Sequence, residues 1–184
     1  NNLVGSGQFT AIESAAFIAP PTSPSVRPNF TDWSPLGLKA LITGSVKNIN
    51  DDEIEIEFRL WDVVAETDLI GLRLTVASKA WRRVAHIISD EIFERLSGDS
   101  GYFDTRIVYV SESGPQNKRL KRLAIMDQDG ENHQYLTDGS FLVLTPRFSP
   151  TSQEITYLAY FRNEPRVYIF NLETGQQELL GSFP

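Results

Sequence analysis

The sequence predicts an α+β layer followed by an all-β stretch of propeller blades, and three observations carry that expectation. Three strand candidates stand between residues 38 and 76, and two of them, Glu53–Val63 and Leu69–Val76, alternate apolar and polar side chains. One amphipathic helix pattern stands at Ser78–Gly98, and no second helical pattern follows it. After residue 101 a three-strand pattern recurs at a spacing of about 45 residues, the size of one blade. The expected division is residues 1–101 for a helix-covered antiparallel or mixed sheet and residues 102–184 for two blades of an incomplete propeller.

Taken in order, Asn1-Asn2-Leu3-Val4-Gly5-Ser6-Gly7 reads as a frayed helix end, so the natural start is expected to lie further upstream. Phe9–Ile12 reads as a short extended piece able to supply one more strand. Pro20, Pro21, Pro24 and Pro28 then fix φ and remove donors, which makes this stretch a loop. Thr31–Gly37 reads as one helical turn stopped by Gly37. Leu38–Ile49 is rich in β-branched residues, and Asp51-Asp52 is a turn. In Glu53–Val63, Ile54, Ile56, Phe58 and Leu60 share one face, while Glu55, Glu57 and Arg59 share the other, expected to be solvated. Leu69–Val76 repeats the alternation, and short turns make a meander the simplest topology.

In the helix, Trp81, Val84, Ala85, Ile88, Ile92 and Leu96 recur at helical spacing. Trp81 and Ile88 are expected to be buried on the sheet, with Ser78 as N-cap and Gly98 as the left-handed stop. Past the linker Asp99-Ser100-Gly101, the strand groups are Arg106–Ser111, Arg122–Gly130 and His133–Thr137, then Glu154–Tyr160, Arg166–Gly175 and Gln177–Gly181. Thr145–Pro150 opens the second group. Propellers close with about four to eight blades. Two alone would leave strands such as those of Ile107, Ile125, Tyr168 and Ile169 short of neighbours. A larger chain is therefore expected, ahead of self-association.

Composition narrows the function classes. The 184 residues carry a net charge of −7, and no long Lys/Arg cluster marks a nucleic acid or anionic membrane as partner. Lys118-Arg119-Leu120-Lys121-Arg122 reads as a solvated hairpin loop. The absence of Cys removes thiolate catalysis, thiolate metal sites and disulfides. No apolar run is long enough to span a bilayer as a helix.

Few constellations invite chemistry. His86 and Asp90 share a helix face, but a catalytic zinc needs three protein ligands, so a His–carboxylate pair is the expected reading. Asp127-Gln-Asp129-Gly130-Glu131-Asn132 resembles the start of a calcium loop, yet its flanks are strands, which favours a hairpin turn. No G-x-S-x-G elbow, P-loop or G-x-G-x-x-G occurs. Tyr109, Tyr157, Tyr160 and Tyr168 are expected to pack blade on blade. No catalytic residue, metal ligand or cofactor is assigned.

Several stretches together resemble the TolB family, the periplasmic propeller proteins of the Tol–Pal system in Gram-negative bacteria. They are Leu3-x-x-Ser6-Gly7-x-Phe9, Trp33-x-x-Leu36-Gly37 with Leu41-Ile-Thr-Gly44-x-Val46, and Ala85-His86-x-x-Ser89-Asp90-x-Ile92-Phe93-x-x-Leu96-x-Gly98. Gly101-x-Phe103-x-Thr105-Arg106-Ile107-x-Tyr109-Val110, Asp127-x-Asp129-Gly130-x-Asn132 and Pro146-x-Phe148-Ser149-Pro150 continue the match. Thr151-Ser152 departs from the Asp-Gly that usually follows Ser-Pro, and the segment 19–30 is unusually proline-rich.

The resemblance implies an N-terminal α+β domain and a WD40-like propeller of six blades, monomeric at full length. It also implies a non-enzymatic periplasmic scaffold that binds the Pal lipoprotein and links to TolA-type inner-membrane proteins. Outer-membrane integrity, constriction in cell division, protein transport and colicin import follow from it. The family's TolA-contacting tail matches no residue here. The implied partner surface includes the loop that opens the second blade, Leu144 and Thr145; the alternative reading, equally open from the sequence, is that these residues only bury the inner strand. The competing reading is the propeller of a prolyl-oligopeptidase-like peptidase whose catalytic domain lies elsewhere, a reading the preceding α+β domain disfavours.

Overall fold

The computed structural model describes residues 2–18 and 23–182. Pro20 and Pro21 of the proline-rich loop lie outside the described residues. Two compact units divide the chain, Asn1–Asp104 and Thr105–Pro184.

The first unit begins with α1 (Asn2–Gly5) and is built on an antiparallel meander of β1 (Ala40–Asn48), β2 (Glu53–Asp62) and β3 (Thr67–Ala77), in the order β1-β2-β3. Phe9–Ile12 runs outside this sheet and pairs with no strand, so the extra strand expected there is not formed. Two successive 3-10 turns, Phe30–Asp32 and Ser34–Leu36, precede β1, and the second is closed by Gly37 at φ 69°.

The alternation of β2 places Phe58 and Leu60 against Ile92 of α2 (Trp81–Ser97), with Leu72, Ile88 and Leu96 around them. The opposite face buries Leu41, Trp61 and Val63 under Phe30 and Trp33. There the Trp61 indole N–H donates to Thr43 Oγ1 at 3.1 Å. The face expected to be solvated is thus largely covered. Glu57 on it is buried, and the Ser25 hydroxyl, from the loop that also holds the buried Pro24 and Pro28, donates to its carboxylate.

Three expectations for the helix are corrected. Ser78 does not cap α2: it lies in a 3-10 turn (Ser78–Ala80), its N–H donates to the Asp52 carbonyl at 2.7 Å, and Ala80 holds the N-cap position. Trp81 is 53% exposed rather than buried. Ile88 is only half-buried. The buried residues of α2 are Val84, His86, Ile92 and Phe93, so the covered stripe is turned away from Trp81 and Ala85. A cleft of about 460 Å³ opens between the helix and the hairpin end of the sheet, lined by Val46, Ile54, Ile56, Trp81, Ala85 and Ile88. Gly98, at φ 81°, ends the helix and donates to the Glu94 carbonyl.

The second unit holds two antiparallel sheets. The first is β4 (Arg106–Ser113), β5 (Leu120–Asp127) and the two-residue β6 (Gln134–Tyr135), in that order. The second contains β7 (Leu142–Phe148), β8 (Glu154–Phe161), β9 (Glu164–Asn171) and β10 (Gln177–Ser182), ordered β10-β9-β8-β7. They share one core: Leu123 and Ile125 with Val143, Ile155, Tyr157, Ala159 and Phe170. Ile125 is therefore buried, against the expectation that it would lack neighbours, because β5 faces the second sheet. Ile107 is exposed as expected, whereas Tyr168 and Ile169 are half-buried; Leu179 and Leu180 are exposed as well. No helix among the described residues is long and apolar enough to cross a membrane.

Candidate partner-binding surface

Leu144 and Thr145 lie on β7, the strand that opens the second sheet. A tight turn leads into it. The Ser140 N–H and hydroxyl both donate to Asp138 Oδ1, at 2.8 and 2.7 Å. The Ser140 amide first, then its hydroxyl, holds the Asp138 carboxyl below the usual carboxylate range. Phe141 then packs on Phe161 with ring centroids 5.2 Å apart.

Within β7 the ladder shifts. Leu144 pairs with Leu158 and Arg147 with Thr156, so Thr145 and Pro146 together oppose Tyr157 alone. That is a β-bulge. Pro146 has no N–H for the ladder, and β7 is an edge strand, where such a residue is tolerated. Thr145 carries φ 47°, a left-handed backbone that a β-branched side chain rarely adopts. Such strain costs on the order of 1–3 kcal/mol and collects at functional positions.

Beneath the bulge the sheet is firm. Tyr157 is buried and stacks on Tyr168 at 5.7 Å; burial first, then Tyr168, pushes its phenol up to about 12. Above it, Thr145 is exposed and Leu144 half-buried. Leu142, Arg147 and Phe148 on the same strand are also exposed, so β7 offers apolar and cationic side chains around a strained turn. The sequence points to Leu144 and Thr145 through Pro146. It gives no sign of the strain, because Thr is a good strand former.

The other singled-out residues make the following contacts. His86 is buried, and its Nδ1 lies 2.8 Å from Asn2 Nδ2. The expected His86–Asp90 pair is not made. Asp90 instead accepts the Phe103 N–H at 2.6 Å and the Asp104 N–H at 2.9 Å, because the linker folds back over α2. Asp127–Asn132 forms a hairpin turn between β5 and β6, in which Gly130 N–H donates to the Asp127 carbonyl and Asn132 Nδ2 to Asp127 Oδ2. Of the basic knot, expected to be a solvated loop, only Lys118 and Arg119 lie in the β4–β5 turn; Leu120, Lys121 and Arg122 begin β5, where Lys121 meets Glu112 at 2.6 Å and the Arg122 guanidinium lies 3.8 Å from the Tyr135 ring centre.

Comparison with known proteins gives concordant matches. A family model described as the TolB beta propeller domain matches residues 93–184, and one described as the TolB amino-terminal domain matches residues 1–69. The whole chain is 54% identical to a Pelagibacter ubique protein named Tol-Pal system protein TolB, of which it covers 41%. It is 53% identical over 183 residues to a Paramagnetospirillum magneticum protein of the same name, again over 41% of that relative. The chain thus spans about two-fifths of the length of these curated relatives. The crystal structure of TolB from Acinetobacter baumannii superposes with a TM-score of 0.87 at 29% identity, covering 99% of this chain and 45% of that one.

Proposed function

The chain belongs to the TolB family, and from that premise we propose that it acts in the Tol–Pal system as a periplasmic, non-enzymatic scaffold. The observation that carries this reading is the match of the whole chain, at more than half identity, to two proteins named for that system. The scaffold binds the lipoprotein Pal and connects it to TolA-type inner-membrane proteins, which serves outer-membrane integrity and constriction. Leu144 and Thr145, at the start of the β7 bulge, form part of the Pal surface. The bulge's strained, exposed backbone on a well-packed sheet supports that choice, since a rigid and pre-formed feature lowers the ordering cost of binding.

The test is Pal capture by the natural full-length protein carrying Thr145→Arg. Weakened capture with an unchanged melting temperature is the expected result. Unchanged Pal affinity would remove Leu144 and Thr145 from the interface, and failure of the unsubstituted protein to bind Pal would remove the scaffold reading itself.

A further inference from the structure

We infer that Asp90 and Gly101 form a latch that makes residues 99–104 a held part of the first unit rather than a loose tether. Linkers of this composition, Gly98-Asp99-Ser100-Gly101, are ordinarily flexible. Here four separate features tie the segment to α2.

The Asp90 carboxylate accepts two consecutive backbone amides, Phe103 N–H on Oδ1 and Asp104 N–H on Oδ2. Hydrogen bonds to a charged acceptor are stronger than neutral ones. Gly101 lies so close that a Cβ placed on it would overlap the Asp90 side chain and backbone, and its φ is not in the left-handed region. This glycine therefore serves close approach, not a turn. Phe103 is 1% exposed, with its ring 5.6 Å from Phe93 and 4.6 Å from Tyr102, while Phe9 closes on Phe93 at 5.8 Å. At the near end, Asp99 N–H donates to Ser97 Oγ, which itself donates to the Phe93 carbonyl at 2.7 Å.

These contacts explain why Asp90 and Gly101 must go together. Any side chain at 101 pushes the linker off α2 and takes the two amides out of reach of the carboxylate. Loss of the carboxylate leaves the Phe103 and Asp104 amides without the acceptor that holds them. The exposed Arg83–Asp104 contact, at 3.4 Å, adds little to this hold.

Hydrogen–deuterium exchange on the full chain tests the latch. In the unsubstituted protein the Phe103 and Asp104 amides are expected to be protected, and Asp90→Ala to speed their exchange by about tenfold or more while α2 keeps its protection. Asp90→Asn, which keeps the shape and removes the charge, is the gentler variant should Asp90→Ala fail to fold. Gly101→Ala attacks the same latch from the linker side and is expected to give the same local pattern. Free-chain exchange at these two amides in the unsubstituted protein would overturn the latch. So would protection unchanged in both the Asp90 variants and Gly101→Ala.

Discussion

The two units bury their sheets by different means. In residues 105–184 strands cover strands, and every core residue sits on a strand. In residues 1–104 a helix covers one face of the sheet, while an aperiodic stretch around Pro24, Phe30 and Trp33 covers the other. Periodicity reveals which faces are apolar, but it does not reveal what lies on them. Trp33 and Trp81 show the consequence. The one in the aperiodic stretch is 2% exposed and the one on the regular helix is 53% exposed.

That contrast gives the largest expected effect. Trp33→Ala is expected to cost about 3–5 kcal/mol, the usual range for truncating a fully buried aromatic. Ile155→Ala, the counterpart in the second unit at 0% exposed, is expected to cost about 2–5 kcal/mol. Trp81→Ala is expected to cost less than about 1 kcal/mol, as exposed substitutions do. Urea unfolding of the three variants is the measurement. Equal losses at Trp33 and Trp81 would break the comparison and show that Trp81 is covered in solution.

The same contrast explains what the sequence made legible. The strands β1–β3, α2 and the strand groups of the second unit follow from alternation and helical spacing, since both signals are local. Covering segments are not local. Glu57 alternates with Phe58 as a solvated residue should, yet it is buried, and the hydroxyl that meets its carboxylate belongs to Ser25, thirty-two positions earlier. Trp81 has the helical spacing of a core residue, but the sheet beneath it ends in the cleft with Val46 and Ile54. At the candidate surface, Pro146 marked an interruption of β7. The left-handed Thr145 arises from the two-against-one register with β8, which no local pattern encodes.

A smaller effect separates the two units by pH. Burial works to raise the Glu57 pKa, but the Arg73 and Ser25 hydrogen bonds and the Arg73 and Lys47 charges outweigh it, and the net shift is downward. A carboxyl with a lowered folded-state pKa contributes stability above its ordinary value, and loses it as pH falls through the folded value. Glu57→Gln is therefore expected to flatten the acid limb of the stability profile. In the second unit the Lys121 hydrogen bond is the main cause that lowers Glu112, but both partners are partly solvated and salt screens them. Glu112→Gln is expected to leave the acid limb nearly unchanged. Thermal melts between neutral and acid pH compare the two; an equal response would show that the covering segment gives Glu57 no special weight.

The smallest effect tests whether the bulge is strained or merely unusual. Glycine adopts φ 47° without the steric cost that a β-branched side chain meets there, so Thr145→Gly removes strain from the folded state. It also frees the unfolded chain, which opposes the gain by about 0.4–1 kcal/mol. Against a strain of about 1–3 kcal/mol, the balance is a stabilisation of about 1 kcal/mol. Thr145 is exposed and its side chain has little packing to lose, so no cavity term enters. Leu158, which faces Leu144 across the ladder, should keep its place if the register is set by Pro146. A rise in the urea midpoint with an unchanged slope is the expected reading. A fall would show that the Thr145 side chain contributes more than its backbone costs, and would turn the bulge from a strained feature into a packed one.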